Sequence, residues 1–145
     1  MLKRLMNTSG DVSLTILRLV LGVVFLAHGC QKMLGWFGGY GFHGTMGAFT
    51  HMGMPAPVAF LIICTEFFGG LGLIVGLLTR IASLGIVGLM TGAIFMVHLK
   101  NGFFMNWFGN QKGEGIEYHL LAIAIAAALL LRGAGAFSLD RTLSE

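Results

Sequence analysis

An all-α membrane protein, a bundle of four transmembrane helices, is the fold class this sequence predicts, and three observations predict it. Of 145 residues, 56% are hydrophobic and only 10% charged, whereas roughly a quarter of a soluble domain is charged. Mean hydropathy is +0.85, more apolar surface than one soluble core can hide. The apolar residues also form four long runs without the two-residue alternation of a membrane barrel, so each run satisfies its own backbone as a helix. A soluble enzyme and a disordered tail are excluded. Nine Lys and Arg against six Asp and Glu give a net charge of +3, too small and too scattered for nucleic acid and better suited to orienting a chain in a bilayer. Two cysteines and two prolines argue against a disulfide scaffold and a linker.

The first helix is expected over residues 12–29. Lys3 and Arg4 precede it as in a secretory signal, but Arg18 interrupts the run and Leu26-Ala27-His28-Gly29 is a poor cleavage site, so the segment is read as a retained span. The second helix is expected over residues 57–78, the third over 81–99 and the fourth over 116–132, all within a single domain, residues 1–145. Each is near the ~20 residues that cross hydrocarbon, the fourth being shortest as a purely apolar run. Lys3, Arg4, Arg80, Arg132 and Arg141 fall on one side, against Lys32, Lys100 and Lys112 on the other. The positive-inside rule then places both termini in the cytoplasm. Two long connections, residues 30–56 and 100–115, lie on the outer side, where Trp36, Tyr40, Phe104 and Trp107 suit an aromatic belt.

An echo links the halves. Phe25-Leu26-Ala27-His28 with Lys32 resembles Phe95-Met96-Val97-His98 with Lys100, and Glu66-Phe67 before Arg80 resembles Glu117-Tyr118 before Arg132. Two parallel helical hairpins related by a pseudo-twofold axis along the membrane normal would produce it. Gly69, Gly70, Gly72 and Gly76 in the second helix, with Gly85, Gly88 and Gly92 in the third, read as packing glycines.

The polar residues inside the spans carry the functional argument. At 1.5 Å per residue, Glu66 stands roughly 21 Å above Arg80, Glu117 about 22 Å and His119 about 20 Å above Arg132, and His98 roughly 27 Å above Arg80. His28 is expected level with His98. A lone ionisable group in lipid costs about 2.5–3.5 kcal/mol on insertion scales, so such groups face inward and pair. Several at one level make a site: Glu66, Glu117 and His119 as proton-handling groups, with His28, Lys32, His98 and Tyr118 bordering a ligand. Glu66 reads equally as a buried pairing residue. Arg18 either snorkels to headgroups or reaches Glu66. A metal held by His28, His98 and His119 competes with this reading, but no two of them show local ligand spacing, so no metal set is assigned; Met46, Met52 and Met54 make only a slight case for a soft metal. Cys30 and Cys64 fall at similar depth and read as small buried residues.

Arg18 with Leu21-Gly22, Ala27-His28-Gly29-x-x-Lys32, Gly53-x-Pro55, Glu66-x-x-Gly69-Gly70, Gly76-Leu77-Leu78-Thr79-Arg80, Glu117-Tyr118 and the closing Gly133-Ala134-Gly135-Ala136-Phe137-Ser138-Leu139-Asp140 together resemble the DoxX family of small bacterial and archaeal membrane proteins. The resemblance spans almost the whole chain. It implies a four-helix inner-membrane protein, some of whose relatives are assigned to thiosulfate:quinone oxidoreductase, terminal quinol oxidase or an oxidoreductase complex linked to oxidative stress. The expectation is therefore a redox-associated subunit that binds a quinone headgroup near the outer leaflet. No flavin fold and no iron-sulfur cysteine set is present in the sequence, so electrons would pass to an oxidoreductase partner. A homo-oligomer is compatible with the glycine faces. The alternative is a non-catalytic component that carries a metal or small solute, or anchors a soluble redox enzyme.

Overall fold

The computed structural model of the chain describes residues 6–144; Lys3 and Arg4 lie outside the described residues. Among the described residues, five helices, a short sixth and a 3-10 turn at Trp36–Gly38 follow one another from residue 12 onward, with no strand. Helix α1, Val12–Leu34, starts where the Asp11 carboxylate accepts the Ser13 N–H at 2.8 Å and stops at Gly35, which takes the left-handed φ of 75° that a helix terminator needs. It runs past the expected end at Gly29, and the added turn carries Lys32, which pairs with Glu66 of another span. Helix α2, Gly41–His51, occupies the connection expected to be a loop. Helix α3, Ala56–Val75, and α4, Thr79–Asn101, are joined by a turn in which Gly76 has φ 71°. Helix α5 is Glu117–Arg132 and α6 is Leu139–Ser144.

Three of these helices, α1, α3 and α4, are long and apolar enough to cross a membrane. Helix α5, with 16 residues, is about 24 Å long. It packs as closely into the bundle as the others: α1 lies chiefly along α3 and α4 chiefly along α5, while α1 also meets α5 and the middle of α3 meets α4. The core draws Leu14, Leu21 and Phe25 from α1, Leu73 from α3, Ile86 and Met90 from α4, and Ala122, Ala126 and Leu129 from α5. Ile16, Val23, Leu84 and Leu131 point outward, as lipid-facing side chains do.

Two glycines set the α1–α3 distance. A Cβ on Gly29 would lie 2.4 Å from the Phe67 Cα, and one on Gly70 would lie 2.4 Å from the Leu26 N, so these backbones touch where any larger residue would force them apart. At Gly88 and Gly92, expected to pack, an added Cβ would meet no atom of a neighbouring element within 4 Å. They line a shallow apolar groove between α3 and α4.

At the end carrying Arg80 and Arg132, hydrogen bonds tie the chain together. Arg18, 1% exposed, donates through Nε to the Ala134 carbonyl at 3.0 Å, through one terminal nitrogen to Leu73 and to Ile74 at 2.7 Å, and through the other to Phe137 at 3.1 Å. Two of these acceptors belong to the last turn of α3, where Leu73 also accepts the Gly76 N–H at 3.3 Å and the guanidinium supplies the further donors that a helix end needs. Arg80 does the same for α5, donating to Leu130 at 2.5 Å and Leu131 at 2.9 Å. Asp140 caps α4 from outside: its two carboxylate oxygens accept Leu78 N at 2.7 Å and Thr79 N at 2.9 Å. The closing Gly-Ala-Gly-Ala-Phe-Ser-Leu-Asp segment is thus the latch of this end, with Gly133 and Gly135 at φ 88° and 78°.

Candidate functional site

At the opposite end the helices diverge around a cavity of about 500 Å³, roofed by α2 and the α4–α5 connection. Its position follows from local irregularities. Helix α3 widens into a π-turn over Thr65–Gly69, and α4 does so over Ile94–His98; such turns insert an extra residue and swing neighbouring side chains, and they concentrate at functional sites. Glu66 sits in the first and His98 in the second. The Gly29–Phe67 contact presses α1 against the α3 π-turn, so Lys32, one turn beyond His28, comes within 2.5 Å of the Glu66 carboxylate through its ammonium. Glu66 is 6% exposed. Its partner keeps more contact with the surface, 22% against 7% by side chain.

On the same cavity, the His98 and His119 rings lie 4.1 Å apart, and Tyr118 meets His119 edge-on at 5.4 Å. The Nδ1 of His98 is 2.9 Å from the Glu114 carbonyl. His119 is buried; its Nδ1 has no hydrogen bond of good geometry, with the Gly115 carbonyl near the ring. The remaining wall is mostly apolar, formed by Phe25, Phe49 and five of the nine methionines: Met52, Met54, Met90, Met96 and Met105.

Residues 13–99 match the model of the DoxX family, more than half of the chain. The chain belongs to the DoxX family. Curated relatives of this DoxX protein include "Putative oxidoreductase CatD" of Bacillus subtilis, 33% identical over 124 residues and covering 86% of this chain and 83% of the relative. "Inner membrane protein YqjF" of Escherichia coli is 30% identical over 135 residues, covering 93% and 95%. "Uncharacterized membrane protein Rv3486" of Mycobacterium tuberculosis is 32% identical, covering 98% and 88%. No solved structure is a significant match. Family and helices together make this a membrane protein whose outer faces contact lipid.

The fold of this DoxX chain brings six of the eight residues singled out from sequence to one cavity: His28, Lys32, Glu66, His98, Tyr118 and His119 all line it. Two do not. Arg18 neither snorkels nor reaches Glu66, because four backbone carbonyls at the far end already hold its guanidinium. Glu117 turns away into the α4–α5 connection, where its Oε1 accepts Met105 N at 2.8 Å and Trp107 Nε1 at 3.3 Å. Its place on the wall is taken by Glu114, which a loop position did not single out. The lining methionines of α4 fall among ordinary apolar residues in sequence and carry no signal of their own. Cys30 and Cys64 are free thiols. Among the described residues, no three His, Cys, Asp or Glu side chains gather as a metal set.

Proposed function

We propose that this cavity binds the headgroup of a membrane quinone, and that the protein serves as the quinone-interacting subunit of an inner-membrane oxidoreductase. The observation that carries the reading is an apolar cavity, within the range of small-molecule sites, lined by a few polar groups that include the Lys32–Glu66 pair from α1 and α3 and the neighbouring imidazoles of His98 and His119 from α4 and α5. A flat ring carrying oxygens suits an apolar cavity with a few hydrogen-bonding groups on its wall. The Lys32 ammonium is a donor, an imidazole can donate or accept, and Glu66 holds Lys32 in place. Quinone, when bound, supplies two-electron, two-proton chemistry; the chain's own residues orient it, exclude lipid tails from its oxygens and offer ionisable groups beside them.

In this reading α5 is a fourth span and both termini are cytoplasmic, with the cavity toward the outer leaflet. The preferential packing of α1 on α3 and of α4 on α5 supports two hairpins, although the π-turns fall on α3 and α4, which are not equivalent in such a repeat. The name of the CatD relative supports a redox setting, with electrons passing to a partner subunit. The test is titration of the purified protein with a short-chain quinone. Saturable binding is expected, weakened at least tenfold by Glu66→Gln; absence of binding at concentrations that saturate a known quinone protein rejects the proposal.

The methionine lining favours a second reading, a soft monovalent metal held by thioethers and imidazole. Metal analysis after purification separates the two, since a stoichiometric transition metal with no quinone binding selects the second.

A further inference from the structure

The loop that roofs the cavity fixes the proton on His98. A backbone carbonyl has no hydrogen to give, so at 2.9 Å from the Glu114 oxygen the His98 Nδ1 must be the donor. That carbonyl also accepts Asn101 Nδ2 at 3.0 Å, which uses both of its lone pairs and leaves it no other role. In the neutral ring the proton therefore resides on Nδ1, and Nε2 is left as a bare acceptor on a residue that lines the cavity.

The carbonyl is itself held. Glu114 Oε2 accepts Asn106 N at 2.6 Å, and Glu117 Oε1 accepts Met105 N and Trp107 Nε1, so two carboxylates brace the connection between α4 and α5. Elsewhere on the wall of the same cavity, the Lys32 ammonium can only donate. Lys32 and His98 thus ask for different partners: an acceptor oxygen at Lys32 and a hydroxyl at His98.

Resting on the quinone reading above, we infer that the cavity recognises the hydroxyl-bearing, reduced form of its ligand, with His98 Nε2 accepting the O–H, and that Glu117 and the Glu114 carbonyl are positioning groups that select this tautomer. The 2.9 Å contact between His98 Nδ1 and a loop carbonyl is the geometry behind it.

Two measurements test this. Nitrogen NMR of ¹⁵N-histidine-labelled protein in detergent at pH 8, with the His98 signals assigned by their loss in His98→Leu, is expected to show the proton on Nδ1; a proton on Nε2 overturns the inference without any ligand. Glu117→Gln, which weakens the brace, is expected to mix the two tautomers, and an unchanged spectrum overturns the positioning role. In parallel, a short-chain benzohydroquinone kept anaerobic, its quinone and its dimethyl ether are titrated into the protein. The hydroquinone is expected to bind about five- to tenfold more tightly than the other two, the worth of one hydrogen bond, and His98→Leu to erase the difference among the three. Equal binding of all three overturns this inference and leaves the quinone site standing; binding of none rejects the site itself. If His98→Leu does not fold, the wild-type titration with the dimethyl ether still decides.

Discussion

At the arginine end Arg18, Arg80 and Asp140 direct their charged groups to backbone carbonyls and N–H groups, whereas at the loop end Lys32 pairs with Glu66 and the imidazoles of His98 and His119 border open space. Both ends hold ionisable residues from several helices, but one uses them to close helix termini that would otherwise be unsatisfied, and the other keeps them beside a cavity. Polar residues within a span do not by themselves mark a site. What separates the two uses is whether the side chain is already consumed by the backbone.

That contrast breaks most visibly at Arg18. Replacing it with Met takes the side-chain donor from the Ala134 and Ile74 carbonyls, and stability is expected to fall by about 3–5 kcal/mol, measured by unfolding in detergent, with quinone affinity of the folded fraction unchanged. A smaller loss, about 1–3 kcal/mol, is expected for Gly29→Ala, whose Cβ meets the Phe67 backbone at 2.4 Å and overpacks the α1–α3 contact; because Lys32 moves with α1, ligand affinity should fall as well. Glu66→Gln should reverse the weighting. Lys32 keeps access to the surface and can rehydrate, so the stability cost is about 1 kcal/mol, while binding suffers far more. The smallest effect belongs to Asp11, at the start of α1 and outside the spans. Its hydrogen bonds from the Ser13 hydroxyl and N–H hold its carboxyl below the ordinary value. A carboxylate depressed in the folded state stabilises above its unfolded pKa and loses that contribution as pH falls through the folded one, so the acid unfolding of wild type below about pH 4 should exceed that of Asp11→Asn by a small margin.

Much of this was legible in the sequence because hydrophobic length and charge report directly on a bilayer. The three apolar spans and the level of Glu66, His98 and His119 follow from counting at 1.5 Å per residue. Helix α2 was hidden by its glycines, Gly41, Gly44 and Gly47, which suppress a helical signal that tertiary packing restores. The π-turns were hidden because no residue type specifies them. Arg18 and Glu117 were drawn to the site because their real partners are mostly backbone groups, which have no letter in a sequence. Facing direction was therefore readable for only six of the eight residues.

The central claim, that the loop-end cavity holds a quinone headgroup, is tested most directly by a photoactivatable quinone crosslinked to the purified protein in lipid, followed by peptide mapping. The account predicts label that is competed by unlabelled quinone and falls on the segments around Phe49–Met54 and Met90–His98, with Glu66→Gln reducing it. Label at the arginine end, or label spread over the lipid-facing surfaces and indifferent to competitor, would contradict it.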